Sequence, residues 1–306
     1  MKSLLIIESP LQLLNAYEAI YNFKITDGIL FIRYSGFDKN DQQINDILEK
    51  VKLPQPLQIQ KILIHVSNRN FWDYGKAILQ KVKFSLETFN TIYVGNYDSP
   101  FIRLIIGKRQ NLILLDDGTR TITAQQNFSD QHHFDWFTFF DIQPYKGQKV
   151  YSNSFDYIQR RIQKSASSQK KSIIFIGANL CEDGIITEEY NVKLIQKIAK
   201  RFYDYQLLYV PHRSDNQNKL QIISSIKNVK ITPLEFPIEL LPIYDYPIPS
   251  QIISFYSTAL FTLGKIYGVP STAFKFDYHQ SQYKDHIDGV YNHFNQYMTV
   301  IEENDI

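Results

Sequence analysis

The chain has a single cysteine, Cys181, among 306 residues, so no disulfide can close within it, and the thiol fits a reducing compartment. Net charge is nearly absent as well. The 33 Lys and Arg against 31 Asp and Glu leave +2, far from the basic surplus of a dedicated nucleic-acid binder. Long apolar runs are missing: Leu4-Leu5-Ile6-Ile7 is broken by Glu8, which is too short for the apolar core of a signal peptide. No other stretch approaches the roughly 20 apolar residues that cross a bilayer. The expected location is the cytoplasm, with peripheral contact to the inner face of the cytoplasmic membrane left open.

What is present is an ordinary globular composition, 44% hydrophobic and 21% charged. The 21 Tyr and 21 Phe suit stacking on sugars or bases, and they suit an aromatic-rich core equally. The length is enough for two domains.

Short apolar runs alternate with longer amphipathic ones, the pattern of an α/β fold with mainly parallel sheets. Strands are expected at Leu4 to Glu8, Gly28 to Arg33, Lys61 to His65, Thr91 to Val94 and Leu112 to Leu115. Helices fall between them, the first opened by Pro10, which sits well at a helix start because it needs no N–H there. A second series of strands begins near Ser172 and continues at Leu207, Val229, Ile252 and Thr272. Its helices include one capped by Thr187 and one over Ala259 to Tyr267. The expected division is a first domain over 1–155, a polar and basic linker over 156–171 and a second domain over 172–306. Ligands of open α/β sheets bind at the carboxyl ends of strands, so motifs at strand ends carry the most weight.

Four such motifs occur. Asp116-Asp117-Gly118 follows a strand directly, and a carboxylate there can serve as general base toward an attacking hydroxyl. Asp-Gly is equally a common turn pair. Pro211-His212-Arg213-Ser214 also ends a strand, with Ser214-Asp215 placed to cap the next helix, and His and Arg at a helix start can cradle a phosphate. A surface loop is the plainer reading. Ser257-Thr258 opens a helix and offers two hydroxyls and free N–H groups to a phosphate, or is an ordinary cap. Glu239, just before that strand, can reach a ribose diol or form an acidic first turn.

In combination these motifs resemble the bacterial sialyltransferases of glycosyltransferase family 52 and the neighbouring polysialyltransferase family. Those enzymes carry an acidic-acidic-Gly motif late in the first domain, a His motif early in the second, and a Ser-Ser or Ser-Thr pair further on. The opening Ile7-Glu8-Ser9-Pro10-Leu11-Gln12 looks like the polysialyltransferase N-terminus. Ile176-Gly177-Ala178-Asn179 with Glu182-Asp183-Gly184 looks like the start of its second domain. The resemblance runs from Leu5 to about Leu263, with one departure: the family's motif is usually His-Pro, whereas here Pro211 precedes His212.

The resemblance implies a GT-B arrangement of two facing Rossmann-like domains and an inverting, metal-independent transfer. The donor is a sialic or related nonulosonic acid on CMP, and the acceptor a hydroxyl of a capsule or lipopolysaccharide glycan. Asp116 is then the base, with Asp117 as its fallback. His212 assists the departing phosphate, Arg213, Ser257 and Thr258 bind it, Glu239 takes the ribose, and Gly177 and Asn179 contact the nucleotide. No cofactor is implied, since a single phosphate leaves and no Asp-x-Asp pair stands at a strand end. Two competitors remain: a GT-B enzyme using a UDP- or other NDP-hexose, and a catalytically silent scaffold in polysaccharide assembly.

Three other features are weighed. His132-His133 between Asp130 and Asp135 looks like a metal cluster but lacks regular ligand spacing. The aromatic run Phe134 to Phe140 suits a core or interdomain contact, or else an acceptor or lipid. The basic segment Lys164 to Lys171 suits a solvated linker, or contact with anionic lipid.

Overall fold

Both expected series of strands form, each as a parallel sheet whose central strands are buried on both faces, which is why those appear as continuous apolar runs rather than alternating ones. The computed structural model describes residues 2–65, 71–109, 111–118, 121–122, 134–145, 147–163, 168–212, 214–278 and 282–306. Arg213 and the His132-His133 pair with Asp130 lie outside these residues. The chain divides into two units, Met1–Arg161 and Ile162–Ile306.

The first unit holds seven strands: β1 (Ser3–Ile7), β2 (Gly28–Tyr34), β3 (Gln58–Leu63), β4 (Thr91–Val94), β5 (Leu112–Leu115), β6 (Phe134–Thr138) and β7 (Val150–Ser152). They are ordered β3-β2-β1-β4-β5-β6-β7, all parallel. The order turns around between β1 and β4, the topological switch point where doubly wound sheets bind ligands. Helices α1 (Pro10–Asn22), α2 (Asp38–Lys50), α3 (Phe71–Ser85), α4 (Pro100–Ile106) and α5 (Asp156–Ile162) accompany them. Within α1 every residue from Gln12 to Ile20 is buried.

The second unit holds β8 (Ser168–Ile176), β9 (Gln206–Val210), β10 (Val229–Ile231), β11 (Ile248–Ser254), β12 (Ser271–Phe274) and β13 (Thr299–Ile301). Their order is β10-β9-β8-β11-β12-β13, again all parallel, with the switch between β8 and β11. Its helices are α6 (Glu188–Arg201), α7 (Gln217–Ser224), α8 (Ala259–Tyr267) and α9 (Lys284–Tyr297), with a 3-10 helix over Ile238–Tyr244. Thr187 caps α6 as its sequence position suggests, its hydroxyl accepting from Tyr190 N–H at 3.3 Å.

Several elements differ from expectation. The aromatic run Phe134 to Phe140 supplies strand β6, its Phe134, Trp136 and Phe137 buried. The stretch 156–171 holds α5 at its beginning and the first residues of β8 at its end. Helix α7 starts at Gln217, capped by Asn216, whose side chain accepts from Asn218 N–H. Ser214 and Asp215 do not cap it; both turn back toward His212.

Candidate functional site

In the first unit the switch point is built by the turn from β1 into α1. Ser9 is the N-cap of α1 and its hydroxyl accepts from Gln12 N–H at 3.3 Å, while Pro10 takes the first helical position. The Gln12 side chain folds back so that its Oε1 accepts from Glu8 N–H at 2.8 Å, a capping box shifted by one residue. That bond fixes the orientation of the amide. Gln12 Nε2 therefore points away from the helix and donates to Asp117 Oδ1 at 2.7 Å. Gly95, at the end of β4, makes room for this: a Cβ there would lie 2.3 Å from Gln12 Oε1.

The adjacent carboxylates of Asp116 and Asp117 go to opposite sides. Asp116 is completely buried. Its Oδ1 accepts from Thr138 Oγ1 at 2.6 Å and its Oδ2 from Phe139 N–H at 2.8 Å. Burial pushes its pKa up to about 7, against the opposing pull of the Thr138 and Phe139 hydrogen bonds. The Asp116 carbonyl accepts from Asn15 Nδ2, whose Oδ1 in turn accepts from Asn153. Asp117 is half-buried and lines a small pocket with Gly95, Asn96, Tyr97, Thr121 and Trp136. Gly118 closes the turn at φ 68°, a left-handed conformation that favours glycine.

Glu8, directly after β1, has its carboxylate 3.0 Å from Arg33 Nε and accepts from Ser99 Oγ at 2.8 Å. Ser99 is the N-cap of α4. One nearly buried ion pair thus ties the ends of β1 and β2 to the start of the helix after β4.

In the second unit the loops after β8, β9 and β11 leave neighbouring strands at their carboxyl ends. His212 lies two residues past β9, and its ring is held on one side: Nδ1 and Ser214 Oγ are 2.6 Å apart. The loop is anchored by Asp215, which accepts from His212 N–H at 3.0 Å and from the Tyr209 hydroxyl at 3.2 Å. The Asp215 and Lys219 side chains are wholly buried and 2.7 Å apart, and Lys219 Nζ also reaches Glu182 at 2.8 Å. Gly177 fits this knot by lacking a side chain: a Cβ would stand 2.9 Å from His212 N and 2.9 Å from the Tyr209 hydroxyl. Asn179 is turned to Asp183, to which its amide donates.

Ser257 and Thr258 lie on the turn from β11 into α8. Ser257 Oγ accepts from Ala259 N–H at 3.2 Å, and Thr258, at the N-cap position, makes no side-chain cap. Ser254 Oγ donates to Ile176 O at 2.8 Å, joining the ends of β11 and β8 just before the Ser-Thr pair and Gly177. Glu239 opens the 3-10 helix and accepts from Thr262 Oγ1 of α8 at 3.3 Å, and burial raises its pKa above the usual carboxylate range.

The structure therefore brings His212 and Gly177 into direct packing, places Ser257 and Thr258 at the next strand end, and joins Glu239 to α8 through Thr262. Asp116 and Asp117 belong to the first unit and all the other expected residues to the second. Sequence reasoning missed Gln12 and Asp215 as site residues. The Ser9-x-x-Gln12 spacing is a capping-box signal that points to Gln12; no comparable signal marks Asp215. Among the described residues, no group of three or more His, Cys, Asp or Glu side chains is gathered so as to hold a metal ion. Nor is any helix among them long and apolar enough to cross a membrane.

The sequence profile of the alpha-2,8-polysialyltransferase family matches residues 137–274. The match takes in Gly177, His212, Glu239, Ser257 and Thr258 and stops short of Asp116 and Asp117. No curated protein sequence matches the chain significantly. Solved structures match at the level of fold. The UDP-GlcNAc 2-epimerase from Neisseria meningitidis, bound to UDP-GlcNAc, has a TM-score of 0.58 at 13% identity, covering 100% of this chain and 96% of the other. MurG from Acinetobacter baumannii has a TM-score of 0.51 at 9% identity, with 100% and 87% covered. The heptosyltransferase WaaC from E. coli has a TM-score of 0.50 at 9% identity, with 90% and 88% covered. The fold is thus the GT-B type, two parallel-sheet α/β domains, and residues 137–274 are similar to the alpha-2,8-polysialyltransferase family.

Proposed function

From a chain that is polysialyltransferase-like over residues 137–274, we infer an inverting, metal-independent transfer of a sialic or related nonulosonic acid from CMP to a glycan hydroxyl. The observation that carries this reading is the content of the matched segment: His212, Gly177, Ser257 and Thr258 all stand at carboxyl ends of strands around the switch between β8 and β11.

The chemistry asked of these residues is modest. The acceptor oxygen attacks the anomeric carbon from the face opposite CMP, the bond from that carbon to the phosphate oxygen breaks, and CMP departs with the electron pair. With Nδ1 accepting from Ser214, the His212 ring presents its Nε2–H outward, where it can donate a hydrogen bond to the leaving phosphate. Ser257, Thr258 and the N-terminal N–H groups of α8 supply further donors, so the developing charge is met by fixed dipoles. No metal is needed for a single departing phosphate. Arg213 is proposed to join this phosphate site, with Asn179 beside the nucleotide and Glu239 on the ribose.

We assign the general base to Asp117 rather than to Asp116. Asp117 lines the pocket at the carboxyl ends of β4 and β5, whereas both oxygens of Asp116 are committed inside the fold. Asp117 would take the acceptor proton, oriented by Gln12, and Asp116 would hold the turn on which Asp117 is carried.

The deciding measurement is calorimetric titration with CMP, UDP and GDP in the presence of EDTA. Selective CMP binding is the expected result. Preference for UDP or GDP overturns the donor while leaving the fold, and absence of any nucleotide binding overturns the enzymatic reading in favour of a scaffold.

A further inference from the structure

Helix α3 is apolar on two opposite sides. Its inner side, with Asp73, Ala77 and Phe84, is buried, and the Phe84 ring meets Phe31 of β2 edge-on. Its outer side is bare. Phe71, Trp72, Ile78, Leu79 and Val82 are exposed at 85, 75, 56, 71 and 51%, and Leu86, just past the helix, at 83%. At about 100° per residue, Phe71, Ile78 and Val82 fall nearly on one line with Leu79 and Leu86 beside it, opposite Ala77 and Phe84.

Exposed charge on this element is of one sign. Lys76 and Lys83 flank the outer apolar stripe on one side and Lys81 on the other, all exposed. The only acid of the helix, Asp73, is turned inward and lies 3.1 Å from His65 Nδ1. The neighbouring edge strand β3 adds exposed Ile59 and Leu63, with exposed Lys61 between them. Lys76 Nζ donates to Leu63 O and Lys83 Nζ to Gln60 Oε1, joining helix and edge strand into one surface.

Singly exposed apolar residues are ordinary, but a contiguous patch of this kind marks an interaction surface. We propose that α3 seats the protein on an anionic bilayer, its outer side lying in the headgroup boundary and the flanking lysines on acidic headgroups. An apolar stripe bordered by long cationic side chains on both flanks is the arrangement of a helix lying in a membrane interface. A second copy of the chain is a poorer occupant. A twofold contact through this face would set lysines toward lysines, and among the described residues the face carries no exposed carboxylate to offset them. The proposal is independent of the donor and of the catalytic assignment, because docking needs neither.

The test is sedimentation of the full chain with vesicles of phosphatidylcholine alone and of phosphatidylcholine with about 30% phosphatidylglycerol at physiological salt. Of the two tryptophans, Trp136 is already buried, so a blue shift of emission on binding reports Trp72. The wild-type chain is expected to sediment with the anionic vesicles and to shift. Ile78→Glu with Leu79→Glu should lose at least tenfold in vesicle affinity, and so should Lys76→Glu with Lys81→Glu and Lys83→Glu. An unchanged unfolding transition and unchanged nucleotide titration certify the variants, since all these positions are exposed. Failure of the wild type to bind anionic vesicles overturns the proposal, as does equal binding by the Glu variants. So does a dimer, insensitive to lipid, that Ile78→Glu with Leu79→Glu dissociates.

Discussion

Gln12 and Asp117, 105 residues apart in sequence, share a hydrogen bond of 2.7 Å at the end of the first sheet. The other end of the Gln12 amide is held by Glu8 N–H, so the donor cannot turn away without giving up that bond as well. Gln12 is therefore a positioning residue for Asp117. Gln12→Ala should lower kcat by about 10- to 100-fold, the equivalent of one lost hydrogen bond to a charged group. The KM for donor should stay unchanged, because donor binding is assigned to the second unit. Steady-state transfer kinetics decide this, and a change confined to KM would remove Gln12 from the mechanism.

The split orientation of the two acids predicts a split phenotype. Asp117→Asn should reduce transfer by at least about 10²-fold, as expected for loss of a general base, with the fold and CMP affinity intact. Asp116→Asn should act mainly through stability and leave measurable turnover. The reverse pattern in paired activity and thermal-unfolding measurements would return the base to Asp116.

Burial also makes the first unit sensitive to pH. Asp116 and Glu18 are both fully buried, and both are pushed up to about 7 chiefly by burial. Their ordinary values are near 4, so between about pH 4 and 7 the folded chain holds protons that the unfolded chain releases. Their contribution is fully present below the unfolded values and is lost as pH rises through about 7. The midpoint of thermal unfolding should be about 3–6 °C higher near pH 5.5 than near pH 8. Glu18→Gln should flatten that slope. An opposite slope that both Glu18→Gln and Asp116→Asn leave untouched would show that neither acid is responsible.

In the second unit the loop of His212 stands on a buried charge cluster, and its removal has a calculable direction. Lys219→Met leaves Asp215 buried without its cation, at a cost of about 3–5 kcal/mol in urea unfolding. Lys219→Arg should recover part of the loss, and a neutral effect of Lys219→Met would mean that Asp215 is held by its other partners.

Gly177→Ala offers a test that needs no charge. The added methyl carbon would lie 2.9 Å from His212 N, so the His loop must move outward. CMP affinity should fall by about tenfold, measured by the same titration as the wild type. Unchanged affinity would separate the Gly177 packing from nucleotide binding.

Much of this architecture is legible in the sequence because buried parallel strands are apolar throughout and their helices begin with recognisable caps. Thr91–Val94, Leu112–Leu115, Val229–Ile231 and Ala259–Tyr267 stand where apolar runs and helical spacing put them. Phe134–Thr138 was hidden by its own composition, since Phe-Asp-Trp-Phe is as good a surface for sugar as it is a strand. Strands β7 and β13 have three residues each, none of them fully buried, so no core-facing run marks them. Tyr283, at the N-cap of helix α9, makes no side-chain cap, so no start signal marks that helix. The outer face of α3 was illegible for a different reason: a helix apolar on both sides gives no indication which side the fold covers.

The same holds for the site. Asp116-Asp117-Gly118 declares two acids but not which one faces inward, because that depends on Thr138 and Phe139, which are remote in sequence. Asp215 looks like a helix cap, and its work in holding His212 emerges only when Lys219 and Tyr209 close around it.

The carboxylate of Glu18, in the first helix, accepts the N–H groups of Tyr157 and Ile158 at 3.1 and 2.8 Å, at the start of α5. During synthesis those donors emerge from the ribosome some 140 residues after the acid that needs them. The nascent first unit must keep α1 open to water, or hold Glu18 protonated, until α5 has left the exit tunnel. Its folding on the ribosome is accordingly a late step, made when nearly all of the unit is already outside.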